Sequence, residues 1–226
     1  MKFAKPNIDV GLFTNRRDEQ CAFWRDVAGL SFDHTLKLGG GVLQHRFNVH
    51  GAVVKVNDAR DPLPERSKAG IQGLVIARAG LQTVLDLSDP DRNEVALVPP
   101  GYHGVTTIGV RVGAADLAAS ERFYMEALGM DAIGLRTMRC GESLIFLQQE
   151  ARQQVAELAA KGFRYLTVQV QNCDAAHAHA LAHGAREARA PMTLGTTARV
   201  SFVLDPDGTW IELSERASLT GSSVER

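Results

Sequence analysis

The chain has 226 residues, of which 45% are hydrophobic; that suffices for one large or two small packed domains and rules out a disordered chain. The formal charge is −1 and neither Lys nor Arg forms a run, so the sequence carries no electrostatic footprint for nucleic acid. No apolar stretch approaches membrane length and residues 1–10 hold no apolar leader core, so a cytoplasmic protein with no membrane partner is expected. Cys21, Cys140 and Cys173 are too few and too scattered for a disulfide framework or a thiolate zinc site, and they are expected to be small packed side chains.

In chain order, residues 8–13 form a strand, and Asp18 and Glu19 open a helix through Phe23, Trp24 and Val27 that stops at Gly29. Residues 31–37, 41–49 and 52–57 follow as three strands, which makes a β, α, β, β, β unit. A Pro-containing connection covers 57–70. Residues 71–77, 83–87 and 94–98 are strands with no room for a helix, a shortened second unit. Pro99, Pro100 and Gly101 break the chain and are read as the boundary between two halves. The pattern then returns: a strand over 106–112, a helix capped by Asp116 and ended by Gly129, and strands over 132–137 and 143–148. A helical connector over 150–160, a strand over 165–170, a helix over 174–183 and a hairpin over 200–213 complete a fourth unit, and the polar residues 215–226 form a tail.

Two internal matches support the repeat. The run Phe23, Trp24, Arg25, Asp26, Val27, Ala28, Gly29, Leu30 aligns with Phe123 through Met130, and Asp89, Pro90, Asp91 through Leu97 aligns with Asp205 through Leu213. In the latter, Asp, Pro and Gly at the turn positions of Asp205 to Gly208 specify a type I turn between antiparallel strands.

Four such units, an aromatic pair before Gly at the helix end, and Asp-Pro-Asp-Gly before Ile211, Glu212 and Leu213 resemble the vicinal oxygen chelate superfamily of glyoxalase I, bleomycin-resistance proteins and extradiol dioxygenases. The resemblance implies an α+β fold of four βαβββ-type units, the second shortened, paired into two curled-sheet domains. These would be residues 1–100, a degenerate N-terminal domain, and residues 101–214, which would hold the active cleft. It further implies metal ligands on the first strand of each unit and on the last strand, usually His or Gln plus a Glu. Here only Glu212 matches; Thr107 and Tyr165 stand where imidazoles are expected, with Asp9 and Gln72 at the first-half positions and Ala96 opposite Glu212. A divalent ion (Fe, Mn, Ni, Zn or Mg) would have Glu212 and, as a spare imidazole, His103. Extradiol dioxygenase chemistry is disfavoured, since residues 194–204 contain no His.

Period-2 alternation sorts the candidate faces. Thr107 shares its face with Arg111, Tyr165 with Thr167 and Gln169, and Glu212 with Trp210, whereas Ile108, Val110, Leu166, Val168, Ile211 and Leu213 take the core face. The leading reading is a lyase or isomerase acting beside a carbonyl of a small oxygenated molecule. Glu212, its pKa raised by burial, would be the base and Tyr165 the oxyanion donor, with Thr107, Arg111, Thr167, Gln169 and Trp210 binding substrate. The alternative is a metal-free small-molecule binding or resistance protein that stacks its ligand on Trp210. In the first half, Gln44, Arg46, Asn48 and His50 share a polar face, and an ion pair between Asp9 and Lys55 is expected. His45 is read as a satisfied core histidine, and His177, His179 and His183 as surface residues of an outer helix. Members of the superfamily often dimerise, so a homodimer is also an expectation.

Overall fold

A computed structural model describes residues 1–65, 70–150 and 157–224. The connector expected over 150–160 therefore falls mostly outside the described residues. Unit one comprises β1 (Phe3–Thr14), α1 (Arg17–Ala22), β2 (Ser31–Gly39), β3 (Val42–Val49) and β4 (Ala52–Ala59). Unit two has β5 (Ile71–Ala77), β6 (Leu85–Ser88) and β7 (Glu94–Val98), and unit three has β8 (Ile108–Ala114), α2 (Leu117–Arg122), β9 (Asp131–Gly134), β10 (Thr137–Cys140) and β11 (Ser143–Gln149). Unit four is β12 (Gly162–Val170), α3 (Cys173–Ala182), β13 (Arg186–Leu194), β14 (Ala198–Leu204) and β15 (Trp210–Arg216), followed by a short α4 (Ala217–Thr220) and by Val224, which is buried. The expected loose tail is thus partly ordered.

The internal repeats are visible as matched hydrogen bonds. α1 and α2 each widen into a π-type turn, Phe23–Val27 and Phe123–Ala127, closed by Leu30 N–H on Trp24 O at 2.9 Å and by Met130 N–H on Tyr124 O at 3.0 Å. Asp205 Oδ1 accepts from Asp207 N at 3.0 Å and Thr209 N at 2.8 Å, as Asp89 Oδ1 accepts from Asp91 N at 2.9 Å and Asn93 N at 2.8 Å. Each turn is also held by the preceding unit's helix: Tyr124 OH donates to Asp205 Oδ2 at 3.1 Å, and Gln20 Nε2 donates to Asp89 Oδ2 at 3.0 Å while its Oε1 accepts from Trp24 Nε1.

The pairing of units differs from the expected consecutive halves. The eight-stranded sheet runs β13-β14-β15-β12-β1-β4-β3-β2 and joins units one and four, and the seven-stranded sheet runs β6-β7-β5-β8-β11-β10-β9 and joins units two and three. The joints are antiparallel, β1 on β12 and β5 on β8. Residues 99–107 connect two units of one sheet instead of dividing two domains, with Gly101 N–H on Val105 O at 2.7 Å and Tyr102 N–H on Pro99 O at 3.1 Å folding the connection back. The physical reason is that alternation fixes which face of a strand is apolar but not which equivalent strand it pairs with. One core binds the two sheets. Ile8, Val10 and Leu12 of β1, Leu166 and Val168 of β12, Ile108 and Val110 of β8, and Phe123 and Tyr124 all belong to it. The opposite faces of the sheets are left to form two separate concavities.

Candidate functional site

In the first sheet, the odd residues of β1 and β12 and the even residues of β15 leave the core and meet. Gly11 lies across from Tyr165 and Asp9 across from Thr167, while Thr167 lies beside Glu212 and Gly11 beside Lys55. This register makes Lys55 on the last strand of unit one the counterpart of Glu212 on the last strand of unit four, and Asp9 the counterpart of Tyr165. The four places that the resemblance assigns to metal ligands are therefore Asp9, Lys55, Tyr165 and Glu212. Gly11 is required here by close approach: a Cβ would run into the ring of Tyr165.

The centre of this concavity is closed by the chain's own side chains. Lys55 Nζ donates to Glu212 Oε2 at 2.8 Å and to Thr167 Oγ1 at 2.7 Å, and Thr167 Oγ1 donates to the same carboxylate oxygen at 2.5 Å. Gln44 Nε2 and Asn57 Nδ2 each approach Tyr165 OH at 3.3 Å. On its apolar side Tyr165 packs with Phe13, Phe202, Trp210 and Leu158, and the Arg189 guanidinium lies over the rings of Phe202 and Trp210. Trp210 is thus a buried member of an aromatic cluster. The expected ion pair between Asp9 and Lys55 is replaced by two others, Lys5 with Asp9 at 2.6 Å and Lys55 with Glu212.

The electrostatics correct the role expected for Glu212. Burial pushes its carboxyl up, but the Lys55 charge and hydrogen bond, the Thr167 hydroxyl and the Arg216 charge together outweigh burial and hold it below the ordinary carboxylate value. It is a paired carboxylate rather than a base poised near neutrality. Burial, reinforced by the Glu212 carboxylate, raises the Tyr165 phenol, which stays protonated. Burial also makes the Lys55 ammonium less basic than a free lysine, with Glu212 and Asp9 opposing that effect.

This donor set does not fit a divalent ion. A catalytic metal takes about three imidazole or carboxylate donors, whereas here an ammonium already sits on Glu212, Asp9 is held by Lys5, Gln169 and Val53 N–H, and Tyr165 is a neutral phenol. Among the described residues no group of three His, Cys, Asp or Glu side chains comes together in a way that could hold a metal.

Arg111 lies in the second sheet and Thr107 on the connection that leads into it, so these residues do not share a cleft with Glu212. Thr107 Oγ1 is used up on Glu142 O at 2.9 Å. The corresponding register, Gly73 beside Arg111 and Val75 beside both Gly109 and Ala96, puts Gly73, Gly109, Ala96 and Phe146 at the ligand places. Small residues there leave a cavity of about 590 Å³. Val75, Ala96, Val105 and Phe146 give it apolar walls, and its polar lining comprises Arg111, His103, Thr137, Gln148 and the Asp86 carboxylate, with Tyr102 beside them. Gly109 admits the Phe146 ring, which a Cβ would meet at 2.6 Å. Arg111 Nη1 reaches Glu94 Oε2 at 3.3 Å, while its Nε is buried without a hydrogen-bond partner. Gln72 stays out of this lining; its amide contacts Gly70 O at 3.5 Å.

The histidines divide differently from expectation. His45 bonds Thr35 Oγ1 through Nδ1 at 2.9 Å but leaves a buried Nε2 without a partner, and His177 is buried with Glu187 at 2.9 Å instead of lying on the surface. His183 is exposed, as predicted, whereas His179 is half-buried with its Nε2 on Glu126 O at 2.9 Å. Lys55 was missed as the centre of the first concavity, although an acid and a base at equivalent places of two repeats would have signalled it.

Two concave sheets, each built from a pair of repeats with candidate positions at its middle, define the fold of the vicinal oxygen chelate proteins. Residues 105–213 match the family described as Glyoxalase/Bleomycin resistance protein/Dioxygenase superfamily, and a likeness of fold to solved structures extends over the whole length. A glyoxalase I mutant from Zea mays superposes with a TM-score of 0.74 at 12% identity, covering 98% of this chain and 96% of that one. A putative dioxygenase from Bacillus subtilis gives 0.67 at 11% identity, covering 96% and 86%, and the cppA protein from Streptococcus pneumoniae gives 0.56 at 10%, covering 92% and 97%. No curated protein matches the chain. At these identities the likeness fixes the fold and not the reaction.

Proposed function

We propose that this protein binds a small organic molecule bearing a carbonyl or carboxylate oxygen, without a metal, in the cavity of the second sheet. The observation that carries the reading is the pairing of apolar walls with an arginine whose buried Nε lacks a partner. A concave site that combines apolar walls with a few placed polar groups suits a ligand whose body is apolar and whose oxygen needs a fixed partner. The first concavity is less suited to that role, because its central carboxylate, hydroxyl and ammonium are already hydrogen-bonded to one another. The test is a thermal-shift panel of small aromatic and carbonyl compounds with EDTA present, hits being measured by calorimetry on wild type and Arg111→Met. Binding that survives EDTA and weakens at least tenfold in the variant supports the proposal; hits that need added metal refute it.

A second reading, lyase or isomerase chemistry beside a carbonyl, is favoured by His103 and Arg111 lining the same cavity. His103 would take the proton, and Arg111 would hold the oxygen on which charge develops. It predicts exchange of substrate hydrogen for solvent deuterium, observed by NMR and lost in His103→Gln.

A further inference from the structure

At one end of the first concavity lies a second space of about 430 Å³, within the ~300–1,000 Å³ range of small-molecule sites. Its lining includes Lys5, Asn7 and Asp9 of β1, Arg46 of β3, Gln169 of β12 and Arg216 at the end of β15. Arg46 is 7% exposed, yet its guanidinium makes one hydrogen bond, Nη1 to Gln44 Oε1 at 2.9 Å, and its Nε is buried without a partner. The Nε of Arg216 and the Nδ2 of Asn7 are buried and unpartnered as well. Gln169 Oε1 is the lone unpartnered acceptor among these side chains, against three unpartnered donors.

The nearby carboxylates act on these guanidinium groups by charge alone, since their hydrogen bonds go elsewhere. Asp9 already accepts from Lys5 at 2.6 Å, Val53 N at 3.0 Å and Gln169 at 3.2 Å, and Glu212 accepts from Lys55 and Thr167. Across this cleft Lys5, Arg46, Lys55 and Arg216 face Asp9 and Glu212, which leaves an excess of two positive charges. Arg46 and Arg216 also act on each other as like charges, which adds to the effect of burial in making Arg46 a weaker base. Guanidinium nitrogens that are buried without an acceptor carry a desolvation cost that an anion between the two arginines would offset.

We propose that this cleft binds a small molecule through an oxyanion, carboxylate or phosphate, held by Arg46 and Arg216 with Asn7 as a neutral donor. The site is separate from the cavity of the second sheet, so the two proposals stand or fall independently. Inorganic phosphate and malonate serve as probes, titrated by calorimetry and by thermal shift against chloride at matched ionic strength. Arg216→Gln, at the half-buried rim, is the first variant, and Arg46→Gln the second. Saturable binding of either probe to wild type, with affinity reduced at least tenfold in Arg216→Gln while that variant's melting temperature without probe stays within a few degrees, supports the site. A preference for phosphate or malonate assigns the oxyanion class. No saturable heat with either probe, or a thermal response equal in wild type and both variants, overturns the proposal.

Discussion

Replacing Lys55 with Met tests whether the centre of the first concavity is a closed ion pair. Lys55 is 2% exposed and its partner Glu212 14% exposed, so deleting the ammonium strands a carboxylate whose remaining donor is Thr167. Breaking one side of a buried pair costs about 3–5 kcal/mol. For a chain of this length each kcal/mol is worth ~2–4 °C, so a fall in melting temperature of roughly 10 °C is expected at pH 7. The double variant Lys55→Met with Glu212→Met removes both charges. It should recover to within about 3 °C of wild type, the remainder reflecting a Thr167 hydroxyl that has lost both partners. The pH dependence has a definite sign. In wild type the folded pKa of Glu212 is depressed, so its contribution is present above the ordinary carboxyl value and is lost as pH falls through the folded value. In the single variant the burial effect is no longer opposed by the ammonium, so the penalty is greatest near neutrality and shrinks as the carboxyl protonates. The gap between wild type and the single variant should therefore narrow on acidification, as followed by circular-dichroism melts from pH 7 to 4.5. A single variant within 2 °C of wild type at pH 7, or a double variant as unstable as the single, would refute the reasoning.

Further predictions follow from other parts of the structure. Gly11→Ala sets a methyl into the Tyr165 ring, forcing it off Gln44 and Asn57; a loss of about 1–3 kcal/mol is expected in urea unfolding, and no loss would contradict the packing described. Burial pushes the Asp205 carboxyl up to about 6, with Thr209 N–H opposing. Since this folded value exceeds the unfolded one, its stabilisation is complete below about pH 4 and is lost as pH rises through 6, about 3 kcal/mol in all. Asp205→Asn should lack that slope, and parallel stability profiles for the two proteins would exclude it.

Much of the fold could be read from residues. The Asp205 turn, its echo at Asp89, and the aligned helix ends at Gly29 and Gly129 carry their own hydrogen-bond logic, and alternation placed Glu212, Thr167, Gln169 and Trp210 on a face away from the core. What alternation cannot carry is the identity of the neighbouring strand. Arg111 and Glu212 each lie on the expected face, but of different sheets, and Lys55 meets Glu212 because β1 pairs with β12 across a separation in sequence of more than a hundred residues. β13 escaped notice for another reason. It is an edge strand rich in charge and interrupted by Pro191, a composition that only an edge tolerates.

The most direct measurement for the central claim is calorimetry, in EDTA, of a compound selected by thermal shift, on Ala96→Phe and on the Lys55→Met, Glu212→Met double variant. Ala96 is buried in the wall of the second sheet's cavity, so a phenyl group there fills the space while the double variant leaves it untouched. The account predicts loss of binding in Ala96→Phe and affinity within about twofold of wild type in the double variant. Retained binding in Ala96→Phe together with loss in the double variant would place the ligand beside Glu212 and contradict it.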